Sequence, residues 1–388
     1  MPERAPGAGL AATGLRRLTG AMRALVDAGR LPGALMWIER RGVVGYQQAL
    51  GLQDPARTLP MRSDAIFRIH SMTKPVVSVA AMMLVERGRL QLGDPVAKHL
   101  PEFAHVRVGV EADGVLTPVE PTSAMTVQDL LRHTAGLTYE FFEATPVRRQ
   151  YIDAGLSSRQ RSSADFCATL ARLPLMYQPG ARWEYSRATD VLGRLVEVVS
   201  GDALGVHLQR AIFAPLGMVD TGFAVPTGQQ QRIAEAFAVD PDTGAAASAP
   251  DVRIAQAFDS GGGGLVSTLA DYARFAQMLV RGGSLGAVRL LGRKTLEHMA
   301  SDHLDDTVVR DSLPPGYGFG LGFAVRTGAG VSALPGSVGS YGWSGSAGTL
   351  FIVDPAEELA AVLMVQAPGQ AEEVRALFQT LVYAALDG

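Results

Sequence analysis

The chain has 388 residues, of which 47% are hydrophobic, and a formal charge of -3 at pH 7. This length and composition suit one large globular domain, or two intertwined ones, with an extensive core. The near-neutral charge gives no reason to expect nucleic acid as a partner, and no basic run predicts binding to an anionic membrane surface.

The N-terminal segment is rich in arginine. Arg16, Arg17 and Arg23 interrupt the apolar residues of the first 26 positions. An export signal and a membrane span both need an uncharged apolar stretch. We therefore expect a cytoplasmic protein with no membrane partner.

The first part of the chain predicts a helix, a hairpin and a second helix. Apolar residues recur at helical spacing over residues 10–29. Residues 33–51 are typical of two strands joined by a turn at Arg41. Residues 67–88 predict a long helix that opens at Ser71.

The middle of the chain differs from both ends. Over residues 94–258, short helical patterns alternate with loops rich in proline and glycine. A helix over residues 268–280 is predicted to open on a capping box formed by Thr268 and Asp271. The stretches YGFGLGFAVRT, YGWSGSAGTLFIVDP and LAAVLMVQ then predict an antiparallel meander, and a last helix covers residues 371–386.

Strands at both ends around a helical middle predict an α+β fold. In this fold the two ends of the chain build one antiparallel sheet flanked by helices, and the middle forms an inserted, mostly helical lobe. We expect residues 1–93 and 260–388 to form the first domain and residues 94–259 the lobe. The active site is expected in the cleft between them.

The stretch IHSMTKP places Ser71 three residues before Lys74 at a helix start. Positions i and i+3 share a helix face, so the Lys74 amine can reach the Ser71 hydroxyl. The unpaired N–H groups of a first helical turn favour an alkoxide there. Lysine acts as a base only where its surroundings keep it neutral part of the time. The pair therefore predicts either a nucleophile with its base, or a helix cap followed by a solvated lysine.

Two further fragments bear on this choice. In PGARWEYS, Tyr185 lies in a loop before an apolar helix, from which its phenol can share a proton with Lys74 or simply pack. In YGWSGSAG, one large aromatic, Trp343, stands among small residues. Glycines allow a backbone N–H to approach a substrate, although such a stretch is also typical of a tight strand turn.

In this order and spacing, the three fragments resemble the serine β-lactamase and penicillin-binding-protein superfamily. They are most similar to the family VIII bacterial carboxylesterases, which look like class C β-lactamases. The resemblance covers almost the whole chain and includes LLRHTAGL, FAPLGMVDTGF and GGGGLVSTLADYARFAQML. It implies that Ser71 is the acylated nucleophile, Lys74 the base and Tyr185 a relay of protons to the leaving group and the deacylating water.

The resemblance also implies a second set of site residues. Trp343, Ser344 and Gly345 stand where related enzymes have K-T-G, and the N–H groups of Ser346 and the nucleophile would form the oxyanion hole. The chain departs from the family pattern in two places: the K-T-G lysine is absent, and Arg187 replaces the asparagine of Y-x-N. That lysine would help to bind the carboxylate of a lactam or a peptidoglycan stem, which a neutral ester lacks. Its absence favours an esterase for short-chain or aryl esters.

Other activities of the same fold remain open. An acyltransferase would pass the acyl group to a bulky alcohol or amine, and a β-lactamase, D-aminopeptidase or other amide hydrolase would cleave an amide. A non-catalytic penicillin-type sensor would be acylated once and stop. The stretch GGSLG around Ser284 fits a nucleophile elbow only if a strand precedes it, and here a predicted helix does, so we interpret it as a helix stop.

The remaining candidates have structural interpretations. His133 is expected to bond a loop carbonyl, because the mechanism needs no imidazole. Tyr139, Phe141 and Phe142 are predicted to line an acyl pocket or to pack on the lobe. Cys167 lies in an amphipathic stretch and is expected to be a small buried residue. No motif predicts a metal or a cofactor, so the expected partner is a small-molecule ester alone.

Overall fold

The structure, a computed structural model, describes residues 8–112, 115–247 and 249–387. Its strands are β1 (Gly33–Arg40), β2 (Val43–Asp54), β3 (Leu59–Pro60), β4 (Ile66–Arg68), β5 (Val108–Ala112), β6 (Val115–Val119), β7 (Val266–Thr268), β8 (Ser284–Leu285), β9 (Val288–Arg289), β10 (Tyr317–Phe319), β11 (Ala324–Arg326), β12 (Tyr341–Ser344), β13 (Leu350–Asp354) and β14 (Leu359–Val365). Its α-helices are α1 (Ala12–Asp27), α2 (Thr73–Glu86), α3 (Val127–Leu131), α4 (Pro146–Asp153), α5 (Ser163–Leu170), α6 (Ala188–Ser200), α7 (Leu204–Leu208), α8 (Ala214–Leu216), α9 (Leu269–Val280), α10 (Arg293–Met299) and α11 (Ala371–Tyr383).

An eight-stranded sheet unites the two ends of the chain. Its strand order is β10-β11-β12-β13-β14-β1-β2-β3, and neighbouring strands run antiparallel. The first hairpin turns at Arg41, which has a positive φ of 52°, and the C-terminal strands form the predicted meander. The predicted antiparallel sheet is confirmed.

Helices cover both faces of this sheet. The central strand β1 is buried along its whole length because neither face meets water. Leu35 and Trp37 point into one core with α2, α9 and the helices of the middle region. Ala34, Met36 and Ile38 point into a second core with α1 and α11. The alternation of side chains thus places the central strands between two helical layers.

The middle of the chain is mainly helical, as expected. It contributes α3 to α8 together with the small hairpin of β5 and β6. The domain boundaries at residues 93/94 and 259/260 stay a prediction. Within the described ranges, the structure has no helix of sufficient length and apolar character to cross a bilayer.

The predicted helix over residues 67–88 is wrong at its start. Residues 66–68 form strand β4, which pairs with β7, and the Ile69 N–H then donates to the Leu265 carbonyl at 3.2 Å. A 3₁₀ turn, His70–Met72, follows, and the α-helix begins only at Thr73. Pairing with a distant strand therefore overrides local helical spacing here.

The predicted capping box of α9 forms only in part. The Thr268 hydroxyl accepts a hydrogen bond from the Asp271 N–H at 3.2 Å, as a helix cap does. The Asp271 carboxylate does not return to the Thr268 backbone. It accepts hydrogen bonds from the Asp220 N–H at 2.7 Å and the Thr221 hydroxyl at 2.8 Å. The same carboxylate therefore joins two chain segments.

Candidate active site

Ser71 lies at the junction between strand β4 and helix α2. It belongs to the 3₁₀ turn, whose first residue, His70, has a positive φ of 45°. Such a conformation is strained for a residue with a side chain and is typical of functional sites. The residue before helix α2 is Met72, and no side-chain cap is made there. The interpretation of Ser71 as a helix cap is therefore excluded.

Lys74 lies in the first turn of α2 and is not solvated. Only 2% of its surface is exposed. Its Nζ donates to the Gly262 carbonyl at 2.7 Å, to the Tyr139 hydroxyl at 3.0 Å and to the Ser71 hydroxyl at 3.4 Å. The last distance is long for a hydrogen bond, as is common for catalytic pairs without substrate. The structure thus brings Ser71 and Lys74 together as predicted.

Two opposing effects act on the Lys74 amine. Burial lowers its pKa, but attraction to the phenols of Tyr139 and Tyr185 outweighs burial and raises the pKa to about 12. That attraction requires an ionised phenol, so the ammonium in turn stabilises a phenolate beside it. Burial also raises the pKa of Tyr139 to about 12, although the positive charge of Lys74 acts against this shift. The arrangement therefore favours a lysine and tyrosine that share a proton over a lysine that acts alone.

Tyr185 completes this group from the loop before α6. Its ring lies 4.3 Å from Lys74 Nζ and packs against His133 and Trp343. The Trp343 indole N–H donates to the Tyr185 hydroxyl oxygen at 3.4 Å. Because the indole N–H is the donor, the Tyr185 hydroxyl proton stays free for another acceptor. Trp343 thus acts on Tyr185, a contact that sequence reasoning did not foresee.

Tyr139 is a site residue whose position was only partly predicted. It lies on the loop after LLRHTAGL, and its ring stacks on Phe141 with a centroid separation of 4.6 Å. Both residues line the cavity above Ser71, as predicted for an acyl pocket, whereas Phe142 faces a neighbouring groove. The Tyr139 hydroxyl bonds Lys74, which no spacing in the sequence indicates because the two residues are 65 positions apart.

Arg187, which replaces the asparagine of the family pattern, has a supporting role. Its guanidinium pairs with Glu140 and, at 3.2 Å, with the fully buried Asp190. Asp190 in turn accepts hydrogen bonds from the Ser260 hydroxyl at 2.6 Å and the Gly262 N–H at 2.9 Å. The Gly262 carbonyl is the acceptor of Lys74, so this chain of contacts fixes the floor of the site.

The end of strand β12 borders Ser71. A Cβ on Gly345 would overlap the Thr349 hydroxyl and would lie 2.5 Å from the Ile69 carbonyl, so only glycine fits this approach. Ser346 follows and lines the same cavity as Ser71. This placement is compatible with the predicted oxyanion hole.

Two cavities meet at this strand. The first has a volume of about 340 Å³ and contains Ser71. The second is a groove of about 1110 Å³ that shares Tyr185, Trp343, Ser344 and Arg375 with the first. Arg375, from α11, donates to the Ser344 hydroxyl at 2.9 Å and to the Gly345 carbonyl at 3.2 Å. A guanidinium therefore lies beside the triplet that lacks the family lysine, and nothing in the helical pattern of α11 revealed it.

Three other candidates have structural roles. Ser284 lies in a short hairpin after α9, so no nucleophile elbow exists there. His133 is buried, but its ring contacts the Ser186 hydroxyl at 3.3 Å and not the loop carbonyl that was expected. Burial holds the pKa of His133 well below its usual value, so its ring is neutral. Cys167 is fully buried in α5, as predicted.

A family model named Beta-lactamase matches residues 18–385 of the chain. The chain belongs to the beta-lactamase family. It is 36% identical to an uncharacterized protein of Mycobacterium tuberculosis, over 89% of this chain and 88% of that one. It is 34% identical to Esterase EstB of Burkholderia gladioli, over 86% of each chain.

A solved structure agrees with this membership. EstCE1, described as a hydrolase with promiscuous acyltransferase activity, superposes with a TM-score of 0.79 at 28% identity, over 97% of this chain and 99% of that one. The predicted relation to family VIII esterases, the α+β fold class and the assignment as a serine hydrolase are confirmed by these relatives.

Proposed function

We propose that the protein is a serine carboxylesterase that hydrolyses short-chain or aryl esters through an acyl-enzyme on Ser71. The observation that carries this proposal is the buried Lys74 amine, 3.4 Å from the Ser71 hydroxyl and beside the ring of Tyr185. The substrate we propose is a small-molecule ester. A cytoplasmic location and the lack of nucleic-acid and membrane partners stay predictions.

In the proposed mechanism, Lys74 and Tyr185 act as one general base. The pair takes the Ser71 proton, and the serine oxygen attacks the ester carbonyl. The N–H groups of Ser71 and Ser346 stabilise the oxyanion. Tyr185 then gives a proton to the departing alcohol, and the ester C–O bond breaks. A water molecule repeats these steps on the acyl-enzyme and releases the acid.

The first test measures steady-state turnover of p-nitrophenyl butyrate by the wild type, Ser71→Ala and Ser284→Ala. We expect Ser71→Ala to lose at least about a thousandfold in kcat, because loss of a serine nucleophile removes the covalent path. Ser284→Ala is the matched control and should keep wild-type turnover. If Ser284→Ala is inactive and Ser71→Ala is active, the assignment of the nucleophile is wrong.

A chromogenic cephalosporin, assayed beside the ester, separates the esterase from a β-lactamase or amide hydrolase. We expect slow or no lactam cleavage, because the K-T-G lysine is absent. Equal turnover of both substrates would contradict this expectation. A burst of one equivalent of p-nitrophenol without further turnover would instead identify a penicillin-type sensor.

An acyltransferase is the second candidate, and the groove of about 1110 Å³ favours it. This groove adjoins Tyr185 and offers space for a bulky alcohol acceptor. The structurally similar EstCE1 is a hydrolase with promiscuous acyltransferase activity. Product analysis in the presence of a bulky alcohol distinguishes the two activities: a new ester would show transfer, and free acid alone would show hydrolysis.

A further inference from the structure

The arginines that line the cavity containing Ser71, here termed the nucleophile cavity, differ in their acidic partners. Arg187 has two carboxylate partners, Glu140 and Asp190. Arg159 and Arg375 also line the cavity, but among the described residues neither has a carboxylate oxygen within 4.0 Å of its guanidinium. Two half-buried guanidinium groups without acidic partners therefore face the space where the substrate is attacked.

Arg159 is held close to the nucleophile. It lies on the segment between α4 and α5, and its Nη2 donates to the Gly263 carbonyl at 3.3 Å. The backbone of Gly263 lies against His70, since a Cβ on this glycine would be 3.6 Å from the His70 carbonyl carbon. Arg161 bonds the carbonyls of Ala154 and Gly155 at 3.0 Å and closes the segment on itself.

Holding Arg159 in this place has an electrostatic cost. Burial lowers the pKa of the Arg159 guanidinium, and Arg187 acts in the same direction, whereas Asp190 and Tyr139 offset only part of this effect. Burial also lowers the pKa of His70 to about 4, and the positive charges of Arg68, Arg159 and Lys74 add to that effect. The burial of Arg159 thus stays only partly compensated, and an anion bound beside its guanidinium would relieve the remaining cost.

The two cavities indicate which part of the ester carries that anion. Tyr185, the proposed proton donor to the alcohol, lines both the nucleophile cavity and the large groove. The alcohol is therefore placed on the groove side. Arg159 lines the cavity of Ser71 but not the groove, and its guanidinium bonds Gly263. An alcohol on the groove side would leave this side of the cavity for the acyl chain.

We infer that this site accepts acyl groups that end in a carboxylate, as in hemiesters of dicarboxylic acids, and that Arg159 binds this carboxylate. The inference rests on the proposed esterase function. The planar guanidinium suits a bidentate carboxylate. Hydrolysis breaks only the ester C–O bond and adds water, and the distal carboxylate stays unchanged.

The test compares mono-4-nitrophenyl adipate with 4-nitrophenyl 6-methylheptanoate, in which an isopropyl group replaces the carboxylate. A longer diacid is chosen because shorter hemiesters expel the phenol by intramolecular attack. The measured quantity is the ratio of kcat/KM for the acidic ester to that for the neutral one. We expect a wild-type ratio of about 10 to 100, the effect of one charge-assisted hydrogen-bonded pair.

Four variants locate the binding group. Arg159→Gln should lower the ratio about 10- to 100-fold, mainly by raising KM for the acidic ester, and Arg159→Lys should retain part of it. Arg149→Gln removes an exposed arginine of α4 and should leave the ratio unchanged. If Arg375→Gln lowers the ratio and Arg159→Gln does not, the assignment to Arg159 is overturned.

Three other results separate this inference from the proposed function. If the wild type hydrolyses both esters through Ser71 and the ratio of kcat/KM is near one, the inference of an anionic acyl group is wrong. The proposed esterase function is then still supported. If Arg159→Gln slows both esters equally, Arg159 acts on the reaction and not on an acyl carboxylate, which also overturns the inference. If neither ester is turned over, the proposed function itself fails.

Discussion

At the scale of single residues, the site depends on how the Lys74 amine is surrounded. Its three hydrogen-bond partners belong to three separate segments of the chain: the turn of Ser71, the loop of Tyr139 and the glycine run at Gly262. Each contact orients the amine and also influences whether it carries a proton. Removing a partner should therefore change both the rate and its dependence on pH.

Tyr139→Phe tests this dependence. The variant loses the hydroxyl 3.0 Å from Lys74 Nζ, and the attraction of Tyr139 is one cause of the raised pKa of Lys74. The pKa of Lys74 should fall, so the ascending limb of kcat/KM against pH should move to lower pH. The lost hydrogen bond should lower the plateau value of kcat/KM about tenfold.

The control for this variant is Tyr151→Phe, which changes another fully buried tyrosine of the same lobe. No contact of Tyr151 with Lys74 is present, so its variant should keep the wild-type pH profile. A Tyr139→Phe profile that coincides with that of the wild type would show that Tyr139 only packs in the site.

Arg187→Asn restores the asparagine of the family pattern and tests the support beneath Lys74. The buried Asp190 would lose its guanidinium partner, which should lower the free energy of unfolding at pH 7 by about 3–5 kcal/mol. In the wild type, burial tends to raise the pKa of Asp190, but Arg187 and two hydrogen bonds outweigh it and lower the pKa. This stabilisation is complete at neutral pH and is lost as the pH falls through that lowered pKa.

The penalty of Arg187→Asn should therefore shrink in acid, where Asp190 is protonated in both proteins. Urea unfolding of the wild type and Arg187→Asn at neutral and acidic pH measures this difference in the free energy of unfolding. Arg293→Gln, which removes an exposed pair with Glu297, is the control and should change stability little at either pH. A penalty that is equally large at both values would exclude the charge of Asp190 as its cause.

At the scale of elements, the approach of strand β12 to the turn of Ser71 would set the geometry of the proposed oxyanion hole. Gly345→Ala would force its Cβ against the Ile69 carbonyl, at 2.5 Å, and neither backbone segment can move freely. We expect a loss of about 1–3 kcal/mol in stability and at least about a tenfold loss in kcat for p-nitrophenyl butyrate. Gly228→Ala, where a Cβ would meet no atom within 4 Å, is the control. Wild-type kcat in Gly345→Ala would argue against this strand as part of the oxyanion hole.

The elements were more predictable than their contacts. Helices α1, α9 and α11, the first hairpin and the C-terminal meander follow from local periodicity and turn residues, and they lie near their predicted places. Strand β4 was missed because it has three residues and exists only by pairing with β7. A helical period was the stronger local signal there.

The same limit applies to the site. Ser71, Lys74 and Tyr185 belong to short fragments with recognisable spacing, and the structure brings all three together. Arg159 and Arg375 had no such signal, because an arginine in a loop or an exposed helix pattern is common and only the tertiary fold turns these two towards Ser71.

At the scale of the whole molecule, the sheet and the helical middle region share one core. Trp37 of the sheet, Phe275 of α9 and Leu192 of α6 belong to the same continuous cluster of buried side chains. The candidate site contains residues from both parts, since Ser71 precedes α2 and Tyr185 precedes α6. A core that is continuous across two parts of a chain couples their unfolding, because neither part can expose its face alone without the cost of apolar hydration.

We therefore expect the two predicted domains to unfold in one transition. The Trp183→Phe/Trp343→Phe double variant reports on Trp37 in the sheet. The Trp37→Phe/Trp343→Phe double variant reports on Trp183 of the predicted lobe, where it packs against Leu304 and Phe319 of the first domain. Their fluorescence should change at the same urea concentration. Leu192→Ala, in the fully buried face of α6, should lower the stability seen by both probes by about 2–5 kcal/mol. If this substitution shifts only the Trp183 signal, the lobe unfolds independently, and substrate binding in the cleft would then stabilise an interface between separate domains.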